Sequence, residues 1–273
     1  MVMIDNPFIV AVYGFFIGIL AGFLGIGGGF MLTPFLFTMG IRMEVAVGTT
    51  LGYTAGVSAI ATARHLELGH VDSKLACLMT AGAFLGVEIG ARAIEFLKHI
   101  GPSATDMGVG ITYTVTLTFV SIYTLRGTFA TKDETIVRKN RISNRIRSVT
   151  ISPMVSLPKS DIPLISVWSV LSAGVITGIA IGFMGTGGGF INMLILLYVL
   201  HCGTIVAVGS SLFGVTISSV FGSLTHALMG NVDISLLIIT LAGGAIGAPL
   251  GATATKYVQE QRIRLLLGFC MGL

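Results

Sequence analysis

Uninterrupted apolar stretches are the feature that most restricts how this chain can fold. A helix needs about 20 apolar residues to cross a bilayer, and stretches close to that length cover 8–24, 75–96, 107–125, 162–184 and 234–255. Only 10% of the 273 residues are charged and 53% are apolar, with a mean hydropathy of +0.93. Soluble domains carry roughly 25% charged residues. The sequence therefore predicts an all-α, polytopic membrane protein. Because the first stretch lacks a basic segment and a small-residue cleavage site, we expect it to be a retained helix and not a signal peptide.

A glycine-rich nonapeptide occurs twice in this apolar background. GFLGIGGGF occupies 22–30 and GFMGTGGGF occupies 182–190. Two further motifs also recur: AVGTTL at 46–51 returns as AVGSSL at 207–212, and LGVEIGA at 85–91 returns as IGAPLGA at 246–252. The second nonapeptide lies 160 residues after the first, and the other two motifs recur after 161 residues. This recurrence predicts two membrane repeats, 1–125 and 162–273, joined by a linker over 126–161.

The segment after each glycine cluster is too short to cross the membrane. It covers about ten residues, 30–39 in the first repeat and 190–200 in the second, which is half of a spanning helix. If the first helix and the short one form a re-entrant hairpin, about three spanning helices follow and the two repeats are inverted. If they form one crossing, the repeats are parallel. With the linker in the cytoplasm, the inverted arrangement places more basic residues inside, which favours inversion.

The positive charge of the chain is concentrated in the linker. Eight of the 16 Lys and Arg residues lie between Arg126 and Lys159, against three acids between Asp133 and Asp161. Such a segment is typical of a cytoplasmic loop close to anionic lipid, and it does not indicate a nucleic-acid partner. The sequence predicts a multi-pass protein of the cell (inner) membrane, with a cytoplasmic linker. A homo-oligomer is left open.

The glycine clusters are the strongest candidates for a binding site. Three consecutive glycines disfavour a helix interior, and they suit a turn at positive φ. A half-helix that starts at such a turn points unpaired N–H groups and a partial positive charge at the middle of the membrane, which is an anion site. The alternative, glycines that only allow close helix packing, suits Gly82, Gly86, Gly90, Gly243, Gly247 and Gly251 better.

Polar residues near the clusters complete the candidate site. Hydroxyl pairs occupy equivalent positions in the two repeats, and one amide lies in the second half-helix where the first has Leu32. The candidate anion-binding residues are therefore Gly27, Gly28, Gly29, Phe30, Thr49, Thr50, Gly187, Gly188, Gly189, Phe190, Asn192, Ser210 and Ser211. Each of the hydroxyls also has an alternative role as a partner of its own helix backbone.

Titratable residues give weaker signals. His65 and His226 are equivalent and are candidates for proton coupling, although ordinary placement at the membrane interface is an alternative. Asp72 and Asp233 precede apolar runs and are typical of helix N-caps. Glu88 and Arg92 lie one turn apart, so we expect them to pair inside the bundle.

Neither catalytic residues nor a cofactor is predicted. Cys77, Cys202 and Cys270 are scattered through apolar segments and indicate small buried side chains more than a disulfide, a metal site or a thiol relay. The sequence contains no cluster of metal ligands and no paired acids, and we expect the protein not to be an enzyme.

The two glycine nonapeptides, AVGTTL with AVGSSL, and the glycine-spaced LGVEIGA with IGAPLGA together resemble the sulfite exporter TauE/SafE family of membrane permeases. The resemblance covers the chain except for the linker. It implies transport of small sulfur-containing anions such as sulfite or organosulfonates, with coupling to protons as an option. The resemblance implies that the three glycines of each cluster and the Thr and Ser pairs take part in transport. The long basic linker departs from compact relatives.

These observations predict a secondary transporter that works by alternating access, with the anion held between opposed half-helix N-termini. An ion channel with a filter of glycine carbonyls is the alternative. The direction in which the glycine backbone dipoles point distinguishes the two. A membrane enzyme or thiol carrier that uses one of the three cysteines is a third hypothesis.

Overall fold

The computed structural model describes residues 7–130 and 151–272, which contain ten α-helices and one β-hairpin. The first repeat consists of α1 Pro7–Leu24, α2 Gly29–Thr38, α3 Met43–Glu67, α4 Ser73–Ile100 and α5 Pro102–Ala130. The second repeat consists of α6 Val167–Met184, α7 Gly189–Leu194, α8 Thr204–Leu228, α9 Ile234–Ala254 and α10 Glu260–Gly272. Seven of the described helices, all except α2, α7 and α10, are long and apolar enough to cross a membrane. The predicted all-α, polytopic membrane fold is confirmed.

The half-helices lie where the sequence predicts them. α2 covers ten residues, and α7 continues directly into a π-helical turn at Ile195–Val199. The prediction of a helix over 162–184 is wrong at its start, because Ile162–Ser166 is strand β2, which pairs antiparallel with β1, Met154–Leu157. The first four residues of β2 are apolar and only Ser166 separates them from α6, which hid the boundary. The linker residues 131–150 lie outside the described residues.

The two repeats are inverted, as their central helices demonstrate. Gly48 lies near the start of α3. A Cβ atom added to it would meet His226 in the last turn of α8 and Asn231 just after that helix. Further along α3, the hydroxyl of Thr62 lies 3.3 Å from that of Thr216. Residue numbers rise along α3 as they fall along α8, so these equivalent helices are antiparallel.

The repeats also interlock through two parallel helix pairs. α1 packs along α9 and α6 packs along α4, and these are the most extensive helix contacts in the described chain. Glycines in both helices of each pair lie directly on the backbone of the partner helix: a Cβ on Gly18 would be 2.6 Å from the carbonyl oxygen of Gly244, and one on Gly178 would be 2.3 Å from that of Ala83. The first helix of each repeat thus packs on the other repeat, with small residues at the contact.

Hydrogen bonds identify the two ends of the bundle. At one end Lys159 Nζ donates to the carbonyl oxygen of Val71 and Arg64 Nε donates to Thr253 Oγ1. We call this the linker end. At the opposite end Lys98 Nζ donates to Asn231 Oδ1. α1 and α2 form a hairpin that returns to the opposite end, and α6 and α7 form one that returns to the linker end.

Candidate functional site

Each hairpin turns at residues with left-handed backbone. Gly27 and Gly28 have φ of 77° and 81°, and Gly187 and Gly188 have φ of 69° and 63°. Residues other than glycine rarely adopt these angles. The turns therefore explain why the two motifs contain consecutive glycines, and α2 and α7 begin at the third glycine of each cluster.

The two turns are in direct contact in the interior of the bundle. A Cβ on Gly29 would lie 2.6 Å from the carbonyl carbon of Thr186, and one on Gly189 would lie 2.4 Å from that of Ile26. Both turns are buried throughout, from Gly25 to Phe30 and from Gly185 to Phe190. α2 approaches this contact from the opposite end of the bundle and α7 approaches it from the linker end, so their N-termini face one another.

The carbonyl groups of the last two glycines in each cluster accept hydrogen bonds. The carbonyl oxygen of Gly28 accepts from the N–H groups of Met31 and Leu32, and that of Gly188 accepts from Asn192. The next carbonyls accept from side chains, Gly29 from Tyr113 and Gly189 from Ser211, each at 3.5 Å. N–H groups of both half-helix starts lie at the tips, as at any helix N-terminus. Carbonyl oxygens lie there as well: a Cβ on Gly189 would be 2.4 Å from that of Ile26, and one on Gly29 would be 2.7 Å from that of Gly185 and 2.8 Å from that of Thr186.

The Thr and Ser pairs divide between two roles. Thr49 Oγ1 accepts from the N–H of Asp233 at 2.9 Å, and Ser210 Oγ accepts from the N–H of Asp72 at 2.8 Å. Both hydroxyls therefore hold the loop that precedes a helix of the other repeat. This gives the two hydroxyls a structural role, and their inclusion in the anion site stays a prediction. The second members, Thr50 and Ser211, are buried, and Ser211 also accepts from Asn192 Nδ2 at 3.3 Å.

Buried hydroxyls that the sequence analysis missed lie beside the turns. On α3 the hydroxyls of Thr54 and Ser58 are buried and have no hydrogen-bond partner among the described residues, like that of the predicted Thr50, and Ser219 on α8 is in the same situation. A Cβ on Gly27 would be 2.7 Å from Thr54 Cγ2 and 3.1 Å from Ser58 Oγ. Their spacing of four residues places them on one face of α3, and that spacing was the signal in the sequence.

The two histidines are buried in the protein, each in the last turn of its helix. His65 Nε2 lies 3.1 Å from the carbonyl oxygen of Gly22, and His226 Nε2 lies 2.9 Å from that of Gly182. Because a carbonyl only accepts, each ring carries its proton on Nε2 and pairs with a carbonyl in the last turn of α1 or α6. His65 Nδ1 also contacts His70 Nδ1 at 3.0 Å. Partial burial, and then the charge of Lys256, lower the pKa of His70.

An apolar groove reaches the first tip from the opposite end of the bundle. Its volume is about 580 Å³, and its lining includes Phe30, Tyr113 and one acid, Asp106. Phe30 is 2% exposed and lies between the groove and the turn. Phe190 is its equivalent in the second repeat and is fully buried.

The remaining predictions have mixed outcomes. Asp72 and Asp233 cap α4 and α9 by accepting from Leu75 and Leu236, which confirms the N-caps. Glu88 and Arg92 pair at 2.6 Å, but the Arg92 side chain is 75% exposed, so the pair does not lie inside the bundle. Cys202 is buried, whereas Cys77 is exposed, against expectation.

Two inverted repeats with broken helices that meet inside the bundle define a class, the polytopic membrane transporters built from inverted repeats. Residues 10–273 match the family model described as Sulfite exporter TauE/SafE, and the chain belongs to this family.

Curated relatives agree with this class. A "Probable membrane transporter protein" of Xylella fastidiosa (strain 9a5c) is 27% identical over 92% of this chain and 85% of its own length. The "Probable membrane transporter protein YjnA" of Bacillus subtilis (strain 168) is 23% identical over 94% of both chains. "Sulfite exporter TauE/SafE family protein 1" of Arabidopsis thaliana is 27% identical over 39% of this chain and 24% of its own. No solved structure matches the chain.

Proposed function

We propose that the protein is a secondary transporter of small sulfur-containing anions such as sulfite or organosulfonates. The observation that carries this proposal is the contact between the two glycine turns, which brings two helix N-termini to one place in the interior. The N–H groups and partial positive charges of both half-helices attract an anion there without any cationic side chain. The family membership and the names of the relatives support a transporter of the sulfite-exporter type.

The anion-binding residues of this proposal are those around the two turns. The glycines 27–29 and 187–189 provide backbone N–H groups, of which that of Gly188 donates to Thr186 Oγ1 in this conformation. Buried hydroxyls without partners provide further donors. Phe30 and Phe190 flank the tips. We leave Thr49 and Ser210 out of the site, because their hydroxyls hold the loops before α9 and α4.

Transport proceeds by alternating access in this proposal. The two tips pack against each other in the conformation described here, so the cycle includes a step in which they separate to admit the anion. The interlocked pairs α1–α9 and α4–α6 connect each tip to the other repeat. Movement of one hairpin therefore displaces helices of both repeats. We place the protein in the cell (inner) membrane with the linker in the cytoplasm, because basic residues gather at the linker end.

The channel alternative has less support. A cation filter needs carbonyl oxygens that converge on the path. The carbonyls of Gly28, Gly29, Gly188 and Gly189 instead accept hydrogen bonds at or behind the helix starts. Those of Ile26, Gly185 and Thr186 pack against the third glycine of the opposing turn.

Flux measurements with the purified protein in liposomes test the proposal. We expect saturable uptake of sulfite or a short organosulfonate, competition between these anions, and no uptake of cations of similar size. A proton gradient is imposed in one arm, and its effect on the rate reports coupling. Absence of flux for all these anions in both arms would rule out the proposed substrate class.

A further inference from the structure

Behind the second glycine turn, four polar side chains line a small cavity between α4, α6, α7 and α8. They are Thr80, Thr177, Asn192 and Ser218, and all four are buried. The cavity has a volume of about 10 Å³. One water molecule needs a volume of about 10–15 Å³ by this measure. The cavity therefore has room for a single water or a single small ion.

Two of the hydroxyls around the cavity use their protons within their own helices, so only their lone pairs remain for a ligand. Thr80 Oγ1 donates its proton to the carbonyl oxygen of Ala76 at 2.7 Å, and Thr177 Oγ1 donates to that of Gly174 at 2.8 Å. Asn192 uses Nδ2 to donate to Ser211, and its Oδ1 is buried without a partner among the described residues. Since a buried oxygen without a partner is unfavourable, this lining calls for a proton donor or a cation.

The first repeat does not reproduce this lining. At the equivalent positions, offset by 160 or 161 residues, every polar side chain of the cavity is replaced by an aliphatic one, and Gly214 is replaced by a tyrosine whose hydroxyl donates to the carbonyl oxygen of Gly14. The counterparts are Leu241 for Thr80, Ile17 for Thr177, Leu32 for Asn192, Val57 for Ser218 and Tyr53 for Gly214. The cavity is thus a feature of one repeat and not a consequence of the duplicated backbone.

We propose that this cavity binds one small monovalent cation, sodium. Sodium is a hard cation that takes oxygen ligands, as the other hard metal ions do. No carboxylate lines the cavity, which favours a monovalent over a divalent ion.

In one respect this inference rests on the proposed function. Asn192 lies in the first turn of α7, so an anion at the neighbouring tip supplies the counter-charge for the cation. Binding of each ion then favours binding of the other.

Binding of radioactive sodium to the purified full-length protein, with no sulfur anion present, tests the site. We expect saturable binding that unlabelled sodium displaces and that potassium and choline displace poorly. Addition of sulfite should tighten it. Sodium should also raise the apparent melting temperature relative to choline at equal ionic strength, because a ligand of the folded state stabilises that state.

Variants of the cavity locate the binding. Asn192→Leu introduces the residue of the first repeat, and Gly214→Ala places a methyl group 3.3 Å from Thr80 Oγ1. Each should weaken sodium binding by about tenfold or more. Thr240→Val is the matched control, because the Thr240 hydroxyl bonds to the carbonyl oxygens of Leu236 and Leu237 in its own helix. It should bind sodium like the original protein.

Two results would overturn the cation site. One is the absence of saturable sodium binding, which would mean that the cavity holds only water. The other is binding that Asn192→Leu and Gly214→Ala leave unchanged. Anion flux with no sodium binding would remove this site and keep the proposed transporter. Sodium binding without anion flux would keep this site and remove the proposed transporter.

Discussion

The two sides of the central contact share their backbone and differ in their side chains. On both sides a turn at positive φ starts a half-helix, a buried histidine contacts the carbonyl of an equivalent glycine, and an aspartate caps the next long helix. Leu32 and Tyr53 then fill the first side, where the second side has Asn192 and Gly214. Features that the backbone contact requires have thus been kept in both repeats. The sodium site that we propose lies on the side that differs.

Substitution of the contacting glycines should have the largest effect, and it should be the same on both sides. Gly29→Ala and Gly189→Ala each place a methyl group against backbone of the other turn. Because backbone cannot move aside as a side chain can, we expect each variant to lose at least about 3 kcal/mol of stability and all anion flux. Melting of the purified variants and flux in liposomes measure this.

Gly203→Ala is the control for this pair, since a Cβ there meets nothing within 4 Å and its φ is −55°. It should behave like the original protein. Normal flux in Gly29→Ala or Gly189→Ala would mean that the two turns are not in contact in the working protein.

Removal of the histidines should have the next largest effect. His65→Phe and His226→Phe each leave a buried carbonyl in the last turn of α1 or α6 without its donor, at a cost of about 1–3 kcal/mol. His65 has a second partner in His70, whereas no partner is found for His226 Nδ1 among the described residues. The loss of stability should therefore be larger for His65. Equal melting temperatures for both variants and the original protein would contradict this role.

Exchange of the residues that differ tests the asymmetry itself. Leu32→Asn buries an amide where the equivalent lining is aliphatic, so it should reduce stability by about 1–2 kcal/mol. Asn192→Leu removes a buried oxygen without a partner and also the hydrogen bond from Nδ2 to Ser211, so the two effects on stability should largely offset each other and the variant should affect binding instead. Thermal melts of both variants compare the two sides. If both variants lost the same stability, the two sides would be equivalent after all.

The smallest change in stability is expected from the hydroxyl of Thr50. Because this hydroxyl is buried and has no partner among the described residues, Thr50→Val should not lower stability and should raise it by at most about 1 kcal/mol. We expect it to raise the apparent KM for the anion, since this hydroxyl is a donor in the proposed site. Ser211→Ala should cost more stability, because Ser211 bonds to Asn192 and Gly189. An unchanged KM in Thr50→Val would exclude this hydroxyl from the site.

Features carried by short stretches of sequence could be predicted, and contacts between the repeats could not. Consecutive glycines and a short apolar segment indicated each half-helix, and Asp72 and Asp233 were recognisable as caps. The partners of Thr49 and Ser210 lie in the other repeat, far away in sequence, so no local pattern distinguished them from Thr50 and Ser211. The burial of His65 and His226 could not be predicted for the same reason. The carbonyls that they contact belong to α1 and α6, each packed beside a helix end.

The position of a bound anion tests the central claim most directly. Selenite is the selenium analogue of sulfite, and its anomalous scattering locates it in crystals of the full-length protein. We predict one peak within hydrogen-bond distance of backbone N–H groups at the starts of both α2 and α7. Peaks found only at basic side chains on the ends of the bundle, such as Arg64 or Arg262, would contradict the claim that the two glycine turns form one anion site.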